Sequence, residues 1–130
     1  MTGWYARRTA MRALASVAVA LVAALHLYFL VLEMFLWTRP YGRRVFRLTP
    51  ERARDSAPLA MNQGLYNGFL AAGLIWSLVS GPLATPLQIF FLSCVVVAGI
   101  FGALTANRAI LWAQAVPGAV ALALVLLAAR

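Results

Sequence analysis

The chain has 130 residues, 64% of them hydrophobic and 11% charged, and its net charge of +8 comes wholly from arginine. Soluble domains are nearer half apolar and about a quarter charged, so a mean hydropathy of +0.86 excludes an ordinary water-soluble domain and makes an integral membrane protein the expectation. The arginines flank apolar runs, where topology signals and anionic lipids act, so the charge points to membrane lipids as partners and not to nucleic acid.

The first element is an apolar helix over residues 13–37, longer than the roughly 20 residues a spanning helix needs and too long for the core of a cleaved signal peptide. Arg7, Arg8 and Arg12 precede it. Its second half reads HLYFLVLEMFLW, with His26 as the chain's single histidine and Glu33 as one of three acidic residues. Residues seven apart return to nearly the same helical face. One stripe therefore carries His26 and Glu33, with Trp37 a further turn on. An ionisable group at this depth is costly and asks for a buried partner or a polar cavity.

The first loop, TRPYGRRVFRLTPERARDSAP, holds Arg39, Arg43, Arg44, Arg47, Arg52 and Arg54. Within it Thr49 suits an N-cap, Pro50 the first helical position and Glu51 the positive end of the dipole, which allows a short interfacial helix, although such a charge run is more often a solvated connector carrying the topology signal. The second span covers residues 60–79 and opens MNQGLYNGFLAAG. Asn62, Gln63, Tyr66 and Asn67 stand at four-residue spacings and form a polar face, while Gly64 and Gly68 make a GxxxG pair that lets a neighbouring backbone come close.

The third span, residues 86–106, carries Cys94 as a packing residue and Gly99, Gly102 and Thr105 near its end. After the tight turn at Asn107 and Arg108, the fourth covers residues 110–128, with Trp112, Gln114 and Pro117. Pro117 frees the carbonyl of Ala113 and predicts a kink. The fold class read from this order is all-α, an integral membrane up-and-down four-helix bundle forming one transmembrane domain. Placing the first and third loops in the cytoplasm puts seven of the eleven arginines inside, so both termini are expected outside the cell's inner membrane.

Depth then gathers the polar groups. Glu33 lies about four residues, roughly 6 Å, in from the side of the first loop. Asn62 to Asn67 occupy the same layer, and Gln114 enters it from the fourth helix. The opposite leaflet reads mostly as Ala, Val and Leu. The expected site has Glu33 and His26 as candidate acid–base residues and Trp37, Asn62, Gln63, Tyr66, Asn67 and Gln114 as ligand-binding residues, with amide donors next to the carboxylate.

EMFLWTRPYGRRVF, AMNQGLYNGFLAAGL and AGIFGALTANRAILWAQAVPG together resemble a family of small bacterial integral membrane proteins, domain-of-unknown-function family 1304. The resemblance runs from His26 to the last helix, is most specific in NQGLYNGFLAAGL, and falls on His26, Glu33, Trp37, Asn62, Gln63, Asn67, Gly99, Gly102, Gln114 and Pro117. It implies a four-helix protein of the bacterial inner membrane and supplies no activity.

From the residues, the leading reading is a site within one leaflet for a small hydrophobic or amphipathic ligand, with catalysis on a lipid-soluble substrate as one form of it. A carboxylate beside a histidine can serve as acid or base. No nucleophile–base pair stands at recognisable spacing. One histidine, one cysteine and one intramembrane carboxylate are too few for a transition-metal site, and no cofactor motif is present. The first alternative is a proton-coupled cation or small-molecule transporter, which at this size needs a homodimer. The second is a non-enzymatic accessory subunit that uses its GxxxG face and spans as contact surfaces.

Overall fold

A computed structural model describes residues 2–130. The chain folds into α1 (Thr2–Met34), α2 (Pro40–Phe46), α3 (Pro50–Leu78), a 3₁₀ turn at Gly81–Leu83, α4 (Ala84–Thr105), a π-helical turn at Leu111–Ala115 and α5 (Val116–Ala128). No strand occurs among the described residues. Three helices are long and apolar enough to cross a membrane: Gly3–Met34, Gly81–Thr105 and Leu111–Ala128. The second expected span lies in α3, which is not among them. Its amides Asn62, Gln63 and Asn67 offset the Leu, Ile and Phe content of the same stretch.

One local expectation is corrected. Thr49 does cap a helix, since the Arg52 N–H donates to its Oγ1 (3.3 Å). That helix is not a short interfacial piece but the start of the 29-residue α3, which continues through Pro58. The short helix of the loop is instead α2. It begins at Pro40, whose fixed φ suits a first helical position. It ends where Arg47 turns left-handed (φ 54°) and the Leu48 N–H returns to the Arg43 carbonyl (2.9 Å).

The chain forms two compact units. One is Ala24–Ala71, comprising the end of α1, α2 and the first part of α3. In it α3 buries Ala60, Gly64, Asn67 and Ala71, a helical stripe of mostly small residues. The missing side chains let α1 approach. A Cβ on Gly64 would stand 2.6 Å from Met34 Cγ and 3.1 Å from Glu33 Cβ, and one on Gly68 would stand 2.7 Å from Leu30 Cδ1.

The other unit combines the chain up to Ala23 with Ala72–Arg130. Here α1 buries Ala15, Val19 and Val22, α4 buries Gln88, Leu92, Val95 and Gly99, and α5 buries Gly118, Ala121 and Val125. Gly99 meets the backbone of Ala115, and Gly118 meets Val95. Pro117 cannot supply the N–H that would return to the Ala113 carbonyl, and the turn just before it widens to π geometry at Leu111–Ala115. Large apolar side chains face outward on both sides of this packing, among them Leu21, Phe101, Leu104 and Trp112.

Candidate functional site

The centre of the unit Ala24–Ala71 is a carboxylate held by an amide. Gly64 brings the α3 backbone against Glu33 and Met34. Asn67, three residues on and on the same helical face, then reaches across and donates from Nδ2 to Glu33 Oε2 at 2.6 Å. Asn67 is 4% exposed, whereas Glu33 is half-buried. A carboxylate has two oxygens with about four acceptor positions, and the amide occupies one of them. Among the described residues the one ion pair joins Arg54 to Glu51 (3.5 Å) on the surface, so no arginine of the first loop neutralises Glu33.

The other residues expected at the site fall in different places. Asn62, Gln63 and Tyr66 are exposed, and the Tyr66 ring leans on Phe69 at 6.1 Å. Gln63 lies one turn before Asn67 on the same helix, so it stands at the outer side of the Glu33–Asn67 pair. Gln114, half-buried in the π turn, belongs to the other compact unit. His26 is fully buried, with its ring edge-on to Phe29 (5.6 Å). The separation of seven positions from His26 to Glu33 corresponds to about 10 Å of helical rise, too far for direct proton exchange between the two side chains.

Trp37 has a different duty from the one its stripe suggests. Its Nε1 donates to Ser56 Oγ (3.0 Å), Ser56 in turn donates to the Arg52 carbonyl (2.6 Å), and the indole packs on Phe46 (4.5 Å). These contacts tie the end of α1 to α2 and to the first turns of α3, which fixes the height at which Asn67 meets Glu33. A second clasp joins Tyr28 and Tyr41 through their hydroxyls (2.8 Å). Neither Ser56 nor Tyr41 stands out in the sequence. The signal that could have found them is the position of both on helices that must fold back on α1.

Residues 20–126 match the model of a family described as a protein of unknown function, DUF1304. The chain is similar to the uncharacterized protein YpaA of Lactococcus lactis subsp. lactis (strain IL1403), at 30% identity over 96 residues, covering 72% of this chain and 81% of the relative. No solved structure matches it. The family match takes in both Glu33 and Asn67 and most of every helix but the start of α1, and the chain belongs to the DUF1304 family.

Proposed function

We propose that the chain is a multi-pass protein of the bacterial inner membrane, crossing four times in up-and-down order, whose Glu33–Asn67 pair binds a small hydrophobic or amphipathic ligand from within one leaflet. The observation that carries this reading is a half-buried carboxylate on an apolar helix with one amide partner at 2.6 Å and no first-loop arginine beside it. Such a group retains acceptor capacity for a ligand's cation or N–H and O–H donors. Gln63, one turn outward, would meet the polar end of the ligand first.

Membrane insertion is supported by the outward-facing Leu21, Phe101, Leu104 and Trp112 and by the small residues that line the helix contacts. In lipid no hydrophobic force draws helices together, and close approach at small residues does that work. The apolar stretch of α3 is carried as the fourth crossing, with Asn67 shielded by α1 at Glu33. The excess of arginine in the first loop orients that loop to the cytoplasm and both termini outward. The roughly 10 Å separating His26 from Glu33 favours binding over acid–base catalysis by the two together.

The test is native mass spectrometry of the chain ejected from lipid nanodiscs made without prior detergent washing. A stoichiometric small molecule on the native chain that is absent from Glu33→Gln supports the site. Equal retention by both removes it, and a proton-dependent cation flux in proteoliposomes that depends on Glu33 would move the reading to transport.

A further inference from the structure

Gln88 is buried on α4, 7% exposed, yet its carboxamide makes no hydrogen bond to the protein among the described residues. Its amide atoms are not sealed in the protein interior, where among the described residues Arg43 Nε is the unpartnered polar side-chain atom; they open onto free space. Gln88 lines a cavity of about 480 Å³ within the unit that holds α4 and α5, together with Arg12, Ser16, Thr85, Val125 and Ala128. Arg12 and Ser16 are four apart on α1, and Thr85 and Gln88 three apart on α4, spacings that set each pair on one helical face. The N-terminus of the 22-residue α4 opens beside them with no side chain capping it. A helix start carries a partial positive charge, although here the 3₁₀ turn at Gly81–Leu83 runs straight into it and the Ala84 N–H already donates to the Gly81 carbonyl.

We propose that this cavity binds the phosphate of an anionic lipid headgroup, at a site independent of Glu33. Every polar group lining it can donate, one is a permanent cation, and no acidic residue lines it. Guanidinium matches a phosphoryl group in two parallel bonds. The Ser16 and Thr85 hydroxyls and the Gln88 amide supply donors for the lone pairs that remain on the two non-bridging oxygens and for the ester oxygens. The Gln88 carbonyl is left to accept from a hydroxylated headgroup. A neighbouring cavity that shares Ala128 is lined by Arg7, Arg8 and Arg130, with Arg8 over the Trp4 ring at 4.7 Å. These arginines raise the local positive potential and draw anions in.

The volume falls in the range of small-molecule sites, far above what one bare anion fills. Exposed Leu83 directly follows the lining residues Gly81 and Pro82, and acyl chains would run over it and over the apolar outer face of α1 at Leu14 and Val17. A lipid phosphodiester and free phosphate share the binding chemistry, and the experiment separates them.

The chain is reconstituted in phosphatidylcholine vesicles, and the motionally restricted fraction of spin-labelled phosphatidylglycerol is measured by electron paramagnetic resonance against spin-labelled phosphatidylcholine. The native chain should select phosphatidylglycerol. Arg12→Gln should weaken that selectivity by at least about tenfold, as expected for loss of a charge-assisted contact. Gln88→Leu should weaken it severalfold, and Glu33→Gln should leave it unchanged. If millimolar inorganic phosphate displaces the labelled lipid in an Arg12-dependent way, the site takes free phosphate as well as the headgroup. Should Gln88→Leu lose its helical circular dichroism, Ser16→Ala with Thr85→Ala replaces it. Equal selectivity in native chain, Arg12→Gln and the folded cavity variant, or no preference over phosphatidylcholine, overturns the proposal.

Discussion

Asn67 is the residue on which the candidate site turns. It is the buried member of the pair, and its single amide bond to Glu33 Oε2 spans α3 to α1. Replacing it with leucine keeps the volume but leaves the half-buried carboxylate without its donor. A hydrogen bond to a charged group contributes roughly 1.5–3 kcal/mol, so Asn67→Leu should lower stability by about 2 kcal/mol in a reversible detergent-unfolding titration. Adding Glu33→Leu in that background should recover part of the loss, because removing both partners leaves nothing unsatisfied. A neutral Asn67→Leu would mean that the bond is incidental. The sequence made Asn67 visible through its spacing from Gln63 and through the two flanking glycines. It could not separate Asn67 from Asn62, because which of three amides faces a neighbouring helix depends on how far that helix has rotated. Gly64 decides this, since the one face of α3 without side chains is the face that α1 takes, and Asn67 shares it.

Helix contacts in this chain are set by where the side chain is missing, and the three relevant glycines differ in what a methyl would meet. At Gly99 the Cβ would face the Ala115 backbone, with its N at 2.6 Å and Cα at 2.8 Å, and neither atom can swing away. At Gly64 it would meet Met34 Cγ, which can turn, but also the Met34 N at 3.2 Å. At Gly68 it meets only the far end of Leu30. Overpacking typically costs about 1–3 kcal/mol. Glycine-to-alanine changes should therefore destabilise in the order Gly99, Gly64, Gly68, with Gly68→Ala near neutral, as read from unfolding midpoints. A reversed order would show that the helices shift to accommodate the methyl.

The start of α3 is the element most exposed to pH. The Glu51 carboxylate is held below the usual carboxylate range by its own backbone N–H, by the Thr49 hydroxyl and by Arg54 and Arg43 nearby. Because the folded value is depressed, the contribution is present above the unfolded value and is lost as pH falls through the folded one. The protection factors of the amides at residues 51–53 should fall as pH drops below the usual carboxylate range. Glu51→Gln should remove that acid dependence, and an unchanged pH profile in the variant would place its cause elsewhere. The cap itself was legible from Thr49, Pro50 and Glu51. The length of the helix was not, because Arg52, Arg54, Asp55 and Pro58 read as a solvated connector, yet a helix needs only continuous backbone bonding and tolerates one missing N–H. The short α2 was hidden for the converse reason: Gly42 and Val45 lower helical propensity in a segment of seven residues, and the packing of Gly42 against the Leu36 carbonyl holds it in place.

Over the whole molecule, composition alone gave the all-helical class and three of the apolar helices, since runs such as residues 86–106 allow no other reading. It ranked the polar groups less well. Depth along each helix gathered Glu33, Asn62, Gln63, Asn67 and Gln114 into one layer, but a layer is not a cavity. Among the described residues Asn67 alone hydrogen-bonds the carboxylate, while the polar cavity at Arg12, Ser16, Thr85 and Gln88 lies where the sequence reads as Ala, Val and Leu. Single polar residues three or four apart are easily lost among apolar neighbours when no run marks them. The central claim is that Glu33 is kept for what it binds and not for what it holds together. Glutamine at this position preserves the shape and can still accept from Asn67 while removing the charge. The measurement is the unfolding midpoint of Glu33→Gln in mild detergent, taken beside its retention of the bound molecule. Glu33→Gln should keep its stability within about 1 kcal/mol of the native chain, the scale of one neutral hydrogen bond, and should lose the bound molecule. A large loss of stability with the bound molecule retained would contradict that claim and make Glu33 a structural residue.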